Sequence, residues 1–242
     1  MSEPVIDISG LTRRFGAKTA LDGVCLSLPK GAVYGLVGAN GAGKTTLIKH
    51  ILGLLRAEQG SVRVFGLDPV ADPVGVLSRI GYLSEENDLP AWMSIEELIR
   101  YSRPFYPGWD DAYAEQLREA FALEPAATIG SLSKGQKARA GLIVALAHRP
   151  ELLVLDEPSS GLDPIVRRDI LGAVIRTTAS EGRTVLFSSH LLEEVEQVAD
   201  HVTMLRNGTI VISDRLTAIR EAHRVDGRVP TLDEIFVAHV GV

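Results

Sequence analysis

The sequence predicts an α/β protein: a mostly parallel sheet covered by helices, with a mostly helical segment inserted into it. Three observations carry that expectation. Over residues 152–206, short apolar runs of strand length alternate with stretches of helical spacing, the order that builds parallel sheets from strand–helix–strand units. A glycine-rich loop stands between an apolar run and a helical pattern near residue 40. Between about Ile95 and Ala147 helical patterns take over, and strand signals resume only at Leu152. With 242 residues and 45% hydrophobic content, the chain can bury a substantial core as one large domain.

Taken in order, Val5–Ile8 and Val24–Leu28 read as strands, followed by Val33–Val37, Ser61–Val64 and Ile80–Leu83. Helices are expected over Ile95–Tyr101, Asp111–Phe121 and Lys134–Ala147, with Pro104, Pro107 and Gly108 separating the first two. Strand and helix then alternate: Leu152–Leu155, Pro164–Ser180, Thr184–Ser188, Leu191–Ala199 and His201–Arg206. Cys25, the only cysteine, excludes an internal disulfide and reads as a small buried residue on a strand. No apolar run is long enough to span a bilayer, and Met1-Ser2-Glu3-Pro4 does not open a secretory leader. The net charge of −6 argues against broad nucleic-acid binding through a basic surface, so no direct nucleic-acid partner is expected.

The chemistry begins at Gly38-Ala39-Asn40-Gly41-Ala42-Gly43-Lys44-Thr45-Thr46, which fits the phosphate-binding pattern G-x-x-x-x-G-K-[ST]. Glycines let the backbone curl until several N–H groups face one anion. Lys44 supplies a positive charge for the outer phosphates and Thr45 a hydroxyl for Mg²⁺. The apolar run before the loop and the helical spacing of Leu47–Leu52 after it aim a helix N-terminus at phosphate. A second constellation is Leu152-Leu153-Val154-Leu155-Asp156-Glu157-Pro158. Two carboxylates close a strand buried on both faces, at the C-terminal end where α/β sheets hold ligands. Because successive strand residues point to opposite sides, Asp156 is expected to hold Mg²⁺ and Glu157 to orient the attacking water. Ser133 and Gln136 in Leu132-Ser133-Lys134-Gly135-Gln136 form a capping-box pattern ahead of a helix. A capped N-terminus beside Gly135 is also a second anion site.

These motifs together resemble the nucleotide-binding subunit of ATP-binding cassette (ABC) transporters. Leu132–Gln136 is similar to the family signature L-S-G-G-Q, with Lys134 in place of the first glycine. Leu152–Glu157 resembles its Walker B segment, Ser159-Ser160-Gly161-Leu162-Asp163 its D-loop, and Ser188-Ser189-His190 its switch histidine. The match covers nearly the whole chain in the family's order. Phe15 occupies the place of the aromatic that stacks on adenine, a contact tolerant of which base is bound. Glu85 departs from the pattern, since the family more often has Gln there. A carboxylate can bind Mg²⁺ as an amide oxygen does, but it repels the γ-phosphate. Lys134 either helps hold that phosphate or lies in solvent.

The resemblance implies a P-loop NTPase core with a mostly parallel sheet (residues 1–85 and 148–215), including an N-terminal antiparallel β subdomain. It also implies an inserted α-helical subdomain (86–147) and a C-terminal extension (216–242). It implies an ATPase using ATP and Mg²⁺. Lys44, Glu157 and His190 would be catalytic. Phe15, Gly38, Asn40, Gly41, Ala42, Gly43, Thr45, Thr46, Ser133, Gly135, Gln136 and Asp163 would bind nucleotide, and Thr45, Glu85 and Asp156 would bind metal. Two cassettes, identical or paralogous, would pair head-to-tail, each ATP lying between Lys44 of one and Ser133 and Gly135 of the other. Separate transmembrane permease subunits would form the pathway, placing the chain peripherally on the cytoplasmic face of the membrane. Leu132–Gln136 and Thr231-Leu232-Asp233-Glu234-Ile235-Phe236 resemble cassettes of ABC-2 type export systems; the latter stretch also reads as a short amphipathic helix packing on the core. A soluble cassette ATPase acting on nucleic acid or ribosomes is the alternative, although neither a long coiled coil nor a second cassette is present. A small-molecule kinase would need neither Leu132–Gln136 nor His190.

Overall fold

The computed structural model describes residues 3–86, 88–224 and 227–240. Among the described residues, nine strands form two sheets. The first is antiparallel, ordered β2-β1-β4, from β1 (Ile6–Phe15), β2 (Lys18–Leu28) and β4 (Gln59–Val64). The second has six strands, ordered β5-β6-β7-β3-β8-β9. Its members are β3 (Val33–Val37), β5 (Ile80–Leu83), β6 (Leu152–Leu155), β7 (Thr184–Ser189), β8 (His201–Arg206) and β9 (Thr209–Arg215). All pairings in it are parallel except the edge pair β8–β9. The helices are α1 (Lys44–Ile51), α2 (Pro73–Leu77), α3 (Ile95–Ser102), α4 (Asp111–Ala120), α5 (Lys134–Ala147), α6 (Pro164–Glu181), α7 (Leu192–Val198), α8 (Leu216–Ala222) and α9 (Leu232–Val240).

The central strands are buried on both faces, and their two-residue period divides them between two cores. Leu153 and Leu155 of β6, Val185 and Phe187 of β7, and Val33 and Val37 of β3 join the core shared with α3–α7. Leu152, Val154, Leu186, Tyr34 and Leu36 face the core shared with α1 and the antiparallel sheet. Each fully buried aliphatic or aromatic side chain contributes about 1.5–3 kcal/mol, so this alternation fixes the register of the strands that end at the site.

Helix starts follow their capping chemistry. Ser94 and Glu97 form a reciprocal box ahead of α3, Asp110 accepts from the Tyr113 N–H ahead of α4, and Ser133 and Gln136 form the box ahead of α5. The helical segment is anchored to the sheet edge by α5. This helix lies so close to β5 that a Cβ at Gly81 would fall 2.0 Å from the Ala145 carbonyl oxygen. His148, the C-cap of α5, donates from Nε2 to the Ile80 carbonyl at 3.0 Å and stacks on Tyr106 at 3.9 Å. It is 5% exposed, and burial pushes its pKa down to about 4.

Several expectations are corrected. β1 runs to Phe15, well past Ile8, because register shifts carry a polar stretch through the antiparallel pairing without clean alternation. β9 lies beyond the last expected strand; Asn207 and Gly208, at φ 48° and 81°, make the tight turn that returns it onto β8. Cys25 is exposed, not buried, and its Sγ accepts from the Gly10 N–H at 3.2 Å.

Candidate nucleotide-binding and catalytic site

The parallel sheet delivers three segments to one place: the loops after β3, β6 and β7. They meet at a cavity of about 570 Å³ lined by Phe15, Lys18, Ala20, Asn40, Gly41, Gly43, Lys44, Thr45, Thr46, Glu85, Glu157, Ser160 and His190. The loop after β3 turns on Gly41 and Gly43, at φ 82° and 113°, a backbone region that penalises any side chain. A Cβ at Gly43 would also lie 2.6 Å from the Ala20 carbonyl oxygen. Gly43 is the N-cap of α1 and makes no side-chain cap, so the first N–H groups of that helix are open to an anion. Gly38 and Ala42 shape the loop from behind; neither lines the cavity.

Lys44 opens α1 and is only 6% exposed. Its Nζ donates to the Gly38 carbonyl at 2.8 Å and lies 3.1 Å from Glu157 Oε1. That second contact is an ion pair without an aligned hydrogen bond. Glu157 is 7% exposed. β6 ends at Leu155, so the two acids stand in a loop, and Glu157 takes a left-handed φ of 48°. Strand alternation therefore does not separate them; the left-handed turn does. Asp156, 2% exposed, accepts from Ser188 Oγ at 2.7 Å, and the same oxygen accepts from the Glu157 N–H at 2.9 Å. His190 Nδ1 donates to Glu157 Oε2 at 2.6 Å, and its backbone N–H approaches that oxygen at 3.3 Å. Tyr82, behind Asp156, has its phenol pKa pushed up to about 12, mainly by burial and then by the charges of Asp156 and Glu86. It stays neutral and adds no charge to the site.

Phe15 is 47% exposed at the cavity rim, with the Arg13 guanidinium 4.7 Å from its ring centre. Ser133, Gly135 and Gln136 do not line the cavity. The Ser133 and Gln136 side chains cap each other's backbone, and a Cβ at Gly135 would lie 2.8 Å from Val166 Cγ2. Lys134 is exposed, and its Nζ lies over Gly161. Asp163 is also away from the cavity; its Oδ1 accepts from the Ile165 and Val166 N–H groups at the start of α6. Sequence reasoning missed Lys18 and Ala20, and named Ser160 only within the D-loop resemblance, not as a residue of the site. Lys18 faces the site because it pairs with Phe15 across the β1–β2 turn, and the turn glycine Gly16, at φ 58°, was the available signal.

The residues fit a nucleoside triphosphate and a hard cation. The left-handed glycine cradle, the buried Lys44 ammonium and open helix N–H groups suit phosphate. Of the oxygen donors expected for Mg²⁺, Thr45 and Glu85 line the cavity and Asp156 is buried outside its lining; hydroxyl and carboxylate oxygens suit such a cation. The family model described as "ABC transporter" matches residues 21–160. The chain belongs to the ABC transporter family. It is an ATP-binding, ATPase domain of that family. It is 33% identical to the bacitracin transport ATP-binding protein BcrA of Enterococcus faecalis over 224 residues, covering 92% of this chain and 73% of that one. It is 35% identical to the daunorubicin resistance ATP-binding protein DrrA3 of Streptomyces coeruleorubidus, covering 93% of this chain and 74% of that one. A solved ATP-binding subunit of an ABC transporter superposes with a TM-score of 0.87 at 29% identity, covering 97% of this chain and 98% of that one. Among the described residues, no helix is long and apolar enough to cross a membrane.

Proposed function

We infer that this chain is the ATP-hydrolysing motor of an export system, working as one of two cassettes on separate permease subunits at the cytoplasmic face of the membrane. The observation that carries this reading is the division of the motifs between two surfaces. The phosphate loop, Glu157 and His190 line one cavity, while Ser133, Gly135 and Gln136 lie outside it. A second cassette facing the opposite way would bring its own Ser133 and Gly135 to the nucleotide, closing the site across the interface. Export is favoured by two relatives, one a bacitracin transport protein and the other a daunorubicin resistance protein.

In the proposed reaction Phe15 stacks on the base, and the N–H groups from Gly41 to Thr46 with Lys44 hold the phosphates. Thr45, Glu85 and Asp156 would hold Mg²⁺, which neutralises charge on the phosphate oxygens. The γ-phosphate competes with Glu157 for Lys44, and release of Oε1 frees the carboxylate to orient water. His190 then holds Glu157 through Nδ1–H and presents its other ring edge to the phosphate. No covalent intermediate is needed; positioning and electrostatics suffice. The test is release of inorganic phosphate from MgATP by the purified chain, together with copurification of a hydrophobic membrane protein in detergent. Transfer of phosphate to an organic acceptor instead of water would overturn the reading.

A further inference from the structure

Outside the catalytic pair, a buried acid ties together the two loops that carry it. Glu194 lies in the first turn of α7 and is 7% exposed. Its Oε2 accepts from Ser159 Oγ at 2.5 Å and from Ser189 Oγ at 3.4 Å. Ser159 is two residues after Glu157, and Ser189 is one residue before His190. Ser189 Oγ also accepts from the Leu191 N–H at 3.0 Å, which fixes the turn into α7. The other oxygen, Oε1, is buried without a hydrogen bond and 4.0 Å from Arg167 Nε, whose own donation goes to the Leu162 carbonyl at 2.9 Å.

We propose that Glu194 is a positioning residue that yokes the loop bearing Glu157 to the loop bearing His190, so that the two catalytic side chains move as one unit. The inference rests on assigning Glu157 and His190 to ATP hydrolysis. The His190 Nδ1 to Glu157 Oε2 contact of 2.6 Å spans two loops that Ser188 joins at their base. Glu194 adds a second joint, on the far side of both loops. A hydroxyl–carboxylate bond in a water-poor interior is among the stronger hydrogen bonds available. Catalytic geometry is sensitive to it, since a 1 Å misplacement can cost about 10²-fold in rate. Lys44 opens α1 and Phe15 ends β1, outside the two loops that Glu194 joins, so the yoke is expected to act on kcat and to leave nucleotide affinity nearly unchanged.

The test combines kinetics with amide hydrogen exchange on the full chain. Glu194→Ala is expected to lower kcat by ~10-fold or more and leave KM for MgATP within ~2-fold. Glu194→Gln keeps an oxygen that accepts from both serines, and is expected to recover most of that loss. Ser159→Ala combined with Glu194→Ala should lose no more than Glu194→Ala alone. Exchange in peptides covering residues 156–163 and 188–194 should rise together in Glu194→Ala. Parental kcat in Glu194→Ala, additive losses, a Gln variant as impaired as Ala, or faster exchange in only one of the two loops would each overturn the yoke. If Glu194→Ala does not fold, Ser159→Ala and Glu194→Gln carry the same comparison. A parental chain that shows coupled exchange but no ATPase activity would refute the functional reading and leave the yoke standing.

Discussion

At the scale of single residues, the site is organised around one carboxylate. Glu157 is gripped from two sides, by Lys44 at 3.1 Å and by His190 at 2.6 Å, in a setting where an unpaired charge would cost about 3–5 kcal/mol. Glu157→Gln keeps the side-chain volume and an acceptor for His190, so MgATP binding is expected to persist while kcat falls by ~10²-fold or more; equilibrium binding and phosphate release measured on the same preparation check this. His190→Ala is expected to lower kcat by ~10-fold or more, with a smaller effect on KM. Unimpaired turnover would make His190 a structural residue. Glu85→Gln removes a negative charge facing the phosphates and leaves an oxygen for the metal. Hydrolysis is expected to be retained, and loss of ATPase activity would show that the carboxylate itself is required. The cavity-lining Asn40, Gly41, Gly43, Lys44, Thr45, Thr46, Glu157 and His190 were legible in the motifs because each motif demands a residue type at a fixed spacing. The Lys44–Glu157 ion pair and Lys18 were not legible, since they depend on contacts between segments far apart in sequence or on the closure of a single turn.

Elements differ in how openly they announce themselves. The helices α3, α4 and α5 were readable to within a residue because their N-caps, Ser94, Asp110 and Ser133, are sequence signals with a local mechanism. β6 was readable because a strand buried on both faces is a continuous apolar run. The far end of β1 was not, because its pairing passes through Gly10 and through register shifts that no period-two pattern records. The contact between α5 and the sheet edge also makes a pH prediction. The pKa of His148 falls from about 6.5 when unfolded to about 4 in the fold. The unfolded chain therefore binds more protons in that window. Stability present above pH 6.5 is lost as the pH falls towards 4, by an amount on the order of 3 kcal/mol. Denaturant unfolding between pH 7 and 4 is expected to show this loss, and His148→Gln should flatten the slope by about one proton. An unchanged slope would mean that other groups govern acid sensitivity.

For the whole molecule, the parallel sheet was legible from element order, whereas the antiparallel sheet was expected only from the family resemblance. The parallel strands end together, so the loop after β3 meets, at one cavity, two loops that lie more than a hundred residues further along the chain. The signature at the head of α5 stands apart from it, its own side chains satisfied by mutual capping. On the proposed reading, such a molecule holds half of a nucleotide site on each of two faces. The most direct measurement of that claim is the mass in solution of the Glu157→Gln variant, by sedimentation or light scattering, with saturating ATP and Mg²⁺. Pairing is expected under those conditions, to twice the mass of one chain or with a second cassette that copurifies, and it should reverse when ATP is replaced by ADP. A variant that binds ATP and still remains a single chain in every such mixture would contradict the account.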